Sequence, residues 1–347
     1  MSQMGPGRGW RAGQRRSRRR TIAAAGVIAW AVVVGSAMMP IESATATAQP
    51  VVSGGVVVPV AQGPVQDDHL GASKYLKDHP DAAPQGANDF GCTPSAERPR
   101  PVVLAHGTDS SAYSDWAAVS PMLARAGFCV FAPNYGGAPG ADTYGTEDIY
   151  ASSAQFGAFV DRVLTATGAQ QVDLVGFSQG ANVTRYYVNK LGGAPKVGHW
   201  VGLASPSYGG IMYGIVPVAK YMPALYTLFE FGTSVAAVQQ AAGSPYIQAL
   251  NAGGDTVPGV RYTTISSRVD EMIQPFENMA LRGSGATNLV IQDACSDNLT
   301  GHFHQVYEPL VHQLLLNTLD PQRARTPVCE SVALGTGVTE VILAAHS

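Results

Sequence analysis

The sequence predicts an α/β fold, in which a mostly parallel sheet is covered by helices on both faces. Three observations support this prediction. Short apolar runs alternate with amphipathic stretches from about residue 98 onward, and such alternation is typical of a parallel sheet with crossover helices. A Gly-rich pentapeptide at 176–180 connects a predicted strand to a predicted helix. An acidic residue and then a histidine follow later predicted strands, so that polar side chains gather at the carboxyl edge of the sheet.

The predicted elements fall between residues 98 and 330. Six strands are expected at 101–105, 128–132, 171–175, 200–203, 262–266 and 288–291. Five helices are expected at 116–125, 150–167, 180–191, 271–281 and 307–319. In the second helix, Phe156, Phe159, Val160 and Val163 recur at near-helical spacing, which predicts one buried face. Neither an internal repeat nor a second domain is predicted.

The most informative motif is Gly-Phe-Ser-Gln-Gly at residues 176–180, which matches G-x-S-x-G. A predicted strand precedes it and a predicted helix follows it, as the motif requires. A serine on this sharp turn stands exposed above the carboxyl edge of the sheet, and the glycines on either side leave room for the helix to approach the strand. The motif therefore predicts that Ser178 is a nucleophile. An ordinary connection between strand and helix is the alternative.

A serine hydroxyl becomes a useful nucleophile only when a base accepts its proton and a carboxylate orients that base. On this kind of fold the acid and then the histidine follow the serine. Asp270 follows the fifth predicted strand, 92 residues after Ser178, and is the predicted acid. His302 and His304 both lie in the loop after the sixth strand, and their spacing alone does not choose between them. The alternative acids are Glu271, Asp293 and Asp297.

The predicted oxyanion hole takes one backbone N–H group from each of two loops. Gln179, the residue after the serine, is expected to supply the first. The loop after the first strand reads Ala-His-Gly-Thr at 105–108, and Thr108 is expected to supply the second. His106 is then expected to hold this loop in place and not to act as the general base.

Residues 205–260 form a 56-residue connection between two neighbouring strands, and connections of such length tend to be lids or binding loops. The segment is apolar, since Lys220 and Glu230 are its only charged residues between positions 205 and 248. It predicts an apolar cap above the serine that suits a water-insoluble substrate. An extra core layer is the alternative. The candidate substrate contacts are Leu225, Leu228 and Phe229.

Residues 1–48 are expected to be an export signal. Seven arginines between residues 8 and 20 precede a mostly apolar or small run at 21–39, and Ala-Thr-Ala at 46–48 matches a cleavage pattern. The twin-arginine and general secretory routes both stay open. An uncleaved membrane anchor is the alternative, because the run is long enough to span a bilayer. After the leader we expect an extended arm at 49–97, the main domain at 98–330 and a C-terminal tail at 331–347.

Charge and cysteine content narrow the function classes. The leader carries seven of the 22 basic and one of the 25 acidic residues, so the remainder has 15 basic and 24 acidic residues, a net charge of −9. This argues against nucleic acid as a partner and suits a soluble extracellular protein. An even cysteine count in an exported chain predicts two disulfides, and the positions favour Cys92–Cys129 and Cys295–Cys329 among three possible connectivities. No cysteine or histidine cluster in the sequence indicates a metal site.

The chain resembles the bacterial secreted lipases of the α/β-hydrolase superfamily, the group called lipase class 2, from about residue 101 to 319. The resemblance rests on the stretches 101–107, 172–180, 266–273 and 301–319. In that family a tyrosine follows the catalytic histidine by five residues, and His302 with Tyr307 fits this register whereas His304 does not. The resemblance therefore implies His302 as the base, and it supports Asp270 and Thr108. The long segment at 205–260 departs from the smallest members of the family.

The resemblance implies a secreted serine carboxylester hydrolase that needs no cofactor. We expect a triacylglycerol lipase that meets its substrate at a lipid–water interface and acts through Ser178, Asp270 and His302. A short-chain esterase and a cutin-like polyester hydrolase stay open as alternatives. A catalytically inactive lipid-binding protein on the same fold is the alternative from a different class. No obligate protein partner is inferred.

Overall fold

The central sheet contains six parallel strands. The computed structural model describes residues 51–53, 55–210 and 234–346. Its strands are β1 (Val51–Ser53), β2 (Val56–Val58), β3 (Ala61–Gln62), β4 (Ala82–Ala83), β5 (Val102–Ala105), β6 (Val130–Phe131), β7 (Val172–Phe177), β8 (Val197–Leu203), β9 (Arg261–Ser266) and β10 (Ala286–Val290). The last six form one sheet in the order β10-β9-β8-β7-β5-β6, and every neighbouring pair is parallel. These are the six strands predicted from the sequence.

Helices lie between most of the successive strands of this sheet, with β9 and β10 as the exception. The helices are α1 (His69–Asp78), α2 (Ala112–Trp116), α3 (Val119–Arg125), α4 (Ile149–Thr167), α5 (Gln179–Lys190), α6 (Val235–Gln239), α7 (Pro245–Asn251), α8 (Ile291–Ala294), α9 (Pro309–Leu319) and α10 (Val338–His346). Helix α4 begins after Asp148, which accepts from the Ala151 N–H, and ends at Gly168 in the left-handed conformation. In the described part of the chain, no helix is both long and apolar enough to cross a membrane.

Helices cover both faces of the sheet because alternate side chains of a strand point to opposite faces. Val102 and Leu104 of β5 lie in one core cluster together with residues of α2, α3 and α9. Val103 and Ala105 of the same strand lie in a second cluster with residues of α4 and α5. All four side chains are fully buried. The sheet is thus the middle layer of three, as the alternation of strands and helices predicts.

The strand order reverses at β5, which pairs with β6 on one side and with β7 on the other. In open parallel sheets such a reversal leaves a crevice outside the carboxyl ends of the two strands concerned. The loop after β5 begins at His106, and Ser178 directly follows β7. The crevice at the switch point therefore lies between the two loops that the sequence marks as functional.

The predicted helix at 271–281 is wrong. The N–H groups of Met272 and Ile273 donate to the Asp270 Oδ1 atom at 2.9 and 2.7 Å, which turns the chain tightly after β9. Pro275 has no N–H group for a helical hydrogen bond, and only a 3₁₀ turn forms at Phe276–Met279. The apolar residues of this stretch belong to a packed loop, so their spacing does not report a helix.

The segment at 49–97 is more regular than its composition predicts. All three residues of β2 are buried, and Asp68 caps α1 by accepting from the Gly71 N–H at 2.7 Å. Helix α1 contacts α10, which lies in the predicted C-terminal tail. The pairings Cys92–Cys129 and Cys295–Cys329 are confirmed and include all four cysteines. They connect the N-terminal segment to the entrance of β6 and the C-terminal segment to the end of α8.

Candidate active site

Ser178 occupies a sharp turn between β7 and α5. Its backbone has φ 51° and ψ −121°, a conformation that residues other than glycine rarely adopt and that clusters at functional sites. A Cβ atom on Gly176 would lie 2.4 Å from the Ala181 nitrogen, and one on Gly180 would lie 2.0 Å from the Ala105 oxygen. Both glycines of the pentapeptide are therefore required by the close approach of α5 to the sheet.

His302 lies between Ser178 and Asp270. Its Nε2 atom is 3.1 Å from the Ser178 Oγ atom, and its Nδ1 atom is 2.9 Å from the Asp270 Oδ2 atom. An ionised carboxylate can only accept a hydrogen bond, so Nδ1 carries the proton and Nε2 is free to accept the serine proton. The fold thus brings the three predicted residues, 124 and 32 positions apart in sequence, into hydrogen-bonded order.

The surroundings of His302 favour its charged form. Burial opposes the charging of this imidazole, but the neighbouring carboxylates outweigh burial, and the pKa of His302 is raised above its usual 6.5. Asp270 contributes most to the rise, through both its charge and its hydrogen bond, and Glu271 and Asp115 add to it. A base with a raised pKa takes a proton more readily, and its imidazolium is stabilised once formed.

Glu271, one of the alternative acids, contacts the backbone of the histidine loop. Its Oε2 atom accepts from the His302 N–H at 2.5 Å. A Cβ atom on Gly301 would lie 1.9 Å from the Glu271 Oε1 atom, which accounts for glycine directly before the histidine. Glu271 therefore holds the loop that presents His302, and it does not compete with Asp270 for the imidazole.

The remaining alternative residues have other partners. The His304 Nε2 atom lies 3.3 Å from the Glu308 Oε2 atom. Asp293 forms a surface ion pair with Arg268, and Asp297 accepts from a neighbouring serine hydroxyl. None of these three contacts the nucleophilic turn within the described part of the chain. The geometry thus distinguishes His302 from His304, which sequence spacing alone could not do.

Thr108 and Gln179 come from the two loops at the switch point. Gln179 is the first residue of α5, and the N–H groups of the first helical turn have no acceptor within the helix. Thr108 follows Gly107 in the loop after β5, and its Oγ1 atom accepts from the Gln240 Nε2 atom at 3.0 Å. The two residues predicted for the oxyanion hole therefore flank the same crevice.

His106 supports the loop after β5. Its Nδ1 atom donates to the Gly107 carbonyl at 2.8 Å, and its Nε2 atom accepts from the Tyr135 N–H at 3.3 Å. The ring stacks on that of Tyr135, with centroids 4.2 Å apart. Burial lowers the pKa of His106 to about 4. Because both ring nitrogens are occupied and the ring is neutral, His106 is not available as a base.

Asp115 is a buried residue of the site that the sequence motifs do not reveal. The Gly107 N–H and the Ser110 hydroxyl both donate to its carboxylate at 2.7 Å. Only 1% of the residue is exposed, and burial raises its pKa to about 6. In sequence, Asp115 is an acidic residue directly before the helix predicted at 116–125, a position where carboxylates are common and usually solvated.

The structure describes only the two ends of the predicted cap. Leu225, Leu228 and Phe229 lie outside the described residues. In the described part, α6 exposes 57% of Val235 and 62% of Val238, and Gln240 directly after α6 bonds the Thr108 side chain. An exposed apolar helix face therefore belongs to the same short segment that touches the loop after β5.

Comparisons with known proteins identify relatives of this arrangement. A family model described as Lipase (class 2) matches residues 99–314. The crystal structure of Aspergillus fumigatus lipase B is similar, with a TM-score of 0.57 and 20% identity, over 76% of this chain and 64% of that chain. The chain thus spans less than two thirds of the fungal lipase. The mature form of Bacillus licheniformis lipase BlEst2 is similar over 65% of this chain and 94% of that one, with a TM-score of 0.50 and 15% identity. The two likenesses show the α/β-hydrolase fold.

Proposed function

The chain belongs to the lipase class 2 family, and from this premise we propose that it is a secreted triacylglycerol lipase in which Ser178 is the nucleophile. The family places it among the lipase and esterase hydrolases. The matched residues, 99–314, include the loops after β5 and β7 and the loop that carries His302. The proposal adds the catalytic residues, the substrate and the secretion of the enzyme.

The hydrogen-bonded chain from Ser178 through His302 to Asp270 carries the proposal. Ser178 attacks the ester carbonyl while the His302 Nε2 atom takes its proton. Asp270 accepts from Nδ1 throughout and so keeps the imidazole in the required tautomer. His302 then protonates the leaving alcohol, and a water molecule, deprotonated by His302, hydrolyses the acyl-enzyme. Every proton moves between these residues, the substrate and water, so the proposed chemistry needs no cofactor.

The oxyanion that forms in both steps is proposed to accept from the backbone N–H groups of Thr108 and Gln179. Their positions on the two sides of the crevice support this assignment. One such donor is typically worth a factor of about 10² to 10³ in kcat. A donor in a preformed loop is worth more than the same group in water, because it needs no reorientation when the charge develops.

The proposed substrates are esters of medium or long acyl chains. Two features favour them over acetate esters: the apolar composition of residues 205–260 and the exposed valines of α6. Each buried methylene is worth about 0.8 kcal/mol, so kcat/KM should rise with acyl length from acetate to dodecanoate. Replacing Leu225, Leu228 and Phe229 together by Ser should flatten this rise in a variant shown to be folded. An unchanged rise would remove these side chains from the acyl site, and a profile highest for acetate would favour the short-chain esterase.

A covalent serine probe tests the nucleophile and the alternative of an inactive lipid-binding protein. A fluorophosphonate should label the wild-type protein and should not label Ser178→Ala, which should also lose ester hydrolysis by about 10⁴-fold or more. Ser153→Ala is the matched control, because Ser153 is equally buried but lies in α4. Labelling of Ser178→Ala would contradict the assignment. A wild-type protein that is neither labelled nor active would favour lipid binding without catalysis.

The proposed secretion has support from the composition of the leader and from two disulfides, which persist in oxidising compartments. Mass spectrometry of the protein recovered from the medium should find an N-terminus at residue 49. Protein retained in the membrane with its first 48 residues would instead favour an uncleaved anchor.

A further inference from the structure

We infer that Asp115 is a positioning residue, whose carboxylate fixes the loop after β5 so that the Thr108 N–H group faces the crevice. The inference rests on the proposed function, because that loop matters only if Thr108 serves an oxyanion formed at Ser178. Asp115 lies in α2, outside every motif that points to the triad. Its role is to act through the loop and not to touch the substrate.

Asp115 holds the loop on both sides of Thr108. The Gly107 N–H donates to the Oδ2 atom, and the Ser110 hydroxyl donates to the Oδ1 atom, each at 2.7 Å. A single rigid carboxylate thus spans a loop whose central residues carry the proposed donor. Hydrogen bonds to an ionised acceptor are stronger than those to a neutral one, which suits a contact that must hold in one conformation a loop whose Asp109 has φ 53°.

The orientation of the Thr108 N–H depends on two peptide planes that meet at Gly107. The Asp115 contact fixes the first plane through the Gly107 N–H, and the His106 Nδ1 contact fixes the second through the Gly107 carbonyl at 2.8 Å. The Thr108 N–H belongs to that second plane and points away from its carbonyl, because the peptide is trans. Glycine is the residue with the greatest backbone freedom, so both contacts are needed to hold the donor.

The other contacts of the loop do not replace Asp115. Ser110 pairs with Tyr144 through two backbone hydrogen bonds of 3.1 and 2.7 Å, and Gln240 binds the Thr108 side chain. The first anchors the far end of the loop, and the second leaves the backbone of Thr108 free to turn. Removal of the carboxylate would therefore release the first peptide plane of Gly107 alone.

The burial of Asp115 supports a functional reason for its presence. The nearest cation candidate is His69, whose Nδ1 atom is 3.9 Å from the Oδ1 atom, but burial lowers the pKa of His69 to about 4 and leaves it neutral. Within the described part of the chain, the carboxylate is thus buried without a formal counter-ion in contact, an arrangement that costs stability. Perturbed ionisable groups in a crevice are typical of functional sites.

The test compares Asp115→Ala with Asp115→Asn. In Asp115→Ala, kcat should fall by at least about tenfold with KM nearly unchanged, because the donor acts mainly in the transition state. Asp115→Asn should recover most of this loss, since its amide oxygen can accept from Gly107 and its amino group can donate to the Ser110 oxygen. Asp173→Asn is the control, because Asp173 is equally buried but lies near the amino end of β7, and its kcat should equal that of the wild type.

A second readout isolates the oxyanion. A trifluoromethyl ketone with a long alkyl chain forms a hemiketal anion on the serine, and it should bind Asp115→Ala at least about tenfold more weakly, whereas the matching alcohol should bind both proteins equally. If Asp115→Ala does not fold, Ser110→Ala, which removes one of the two contacts, should show a smaller loss in kcat and in ketone affinity.

The inference would be overturned by a wild-type kcat in folded Asp115→Ala, or by equal losses of kcat in Asp115→Asn and Asp115→Ala. If Asp115→Ala is unfolded, unchanged kcat and ketone affinity in Ser110→Ala would overturn it. Failure of the proposed function is a different result, because Ser178→Ala would then keep its activity. Loss of activity in Ser178→Ala together with wild-type behaviour of the Asp115 variants would refute the positioning role alone.

Discussion

The buried carboxyl of Asp115 should make the unfolding free energy depend on pH in the direction opposite to that of a salt-bridged carboxylate. Burial raises its pKa from 3.8 to about 6, so the folded state binds this proton more tightly than the unfolded chain. The contribution of Asp115 to the free energy of unfolding is therefore most favourable below pH 4 and is lost as the pH rises through 6. The difference between the two pKa values corresponds to about 3 kcal/mol. Asp115→Asn cannot ionise, so it should exceed the wild type by up to about 3 kcal/mol at pH 8 and match it near pH 4.

Urea unfolding followed by tryptophan fluorescence, with the disulfides intact, measures this difference at both pH values. Titrating groups that do not interact with Asp115 contribute equally to the two proteins, so the change in the difference between pH 4 and pH 8 belongs to position 115 and to its charge interaction with His302. Asp142→Asn is the control, because it makes the same substitution at an exposed carboxylate. An Asn variant that is less stable at pH 8, or a difference that does not change with pH, would refute the reasoning.

Three further outcomes are expected. His302→Ala should lower kcat by about 10⁴-fold and His304→Ala by less than about tenfold in ester hydrolysis by folded variants; the reverse order would show that the histidine register is wrong. Glu271→Gln keeps an acceptor for the His302 N–H but removes a charge that raises the pKa of His302. The acid limb of the profile of kcat/KM against pH should therefore move to lower pH. An acid limb at the wild-type pH would show that the Glu271 charge does not affect His302. Replacing Cys295 and Cys329 by Ser should lower the unfolding free energy by about 2–4 kcal/mol in urea, whereas an unchanged value would mean that this bridge does not restrict the unfolded chain.

The sheet was predictable because most of its strands have a local sequence signature. Strands β5 to β8 are mostly apolar, largely buried runs between turn residues, whereas β9 is more polar and β10 is only partly buried. The helix predicted at 271–281 is wrong, because the apolar spacing there comes from a loop that packs around Asp270. The hydrogen bonds from the Met272 and Ile273 N–H groups to the Asp270 side chain cannot be inferred from hydrophobic periodicity. Helix α1 was missed because its sequence has few apolar residues; in the structure it contacts α2 and α10.

The sequence identifies some residues of the candidate site more fully than others. Ser178 lies in a motif whose glycines have a direct steric reason, so the local sequence is nearly sufficient. His302 and His304 are two positions apart in a loop, and their spacing left the base open until family resemblance favoured His302. Their partners separate them: His302 contacts Asp270, whereas His304 contacts Glu308.

Local sequence suffices to locate the strands, because they follow from the hydrophobic pattern. It also suffices for the turn at the nucleophile, which depends on glycine sterics, and for the cysteine pairs, which depend on the elements that the cysteines flank. It does not suffice for Asp115, because an acidic residue directly before the helix predicted at 116–125 is usually solvated. That residue becomes buried only when α1 and the histidine loop pack over α2 and bring His69 and Tyr307 beside it. Burial and the pKa shift that follows from it depend on neighbours far away in the chain, and those neighbours are set by packing and not by any local pattern.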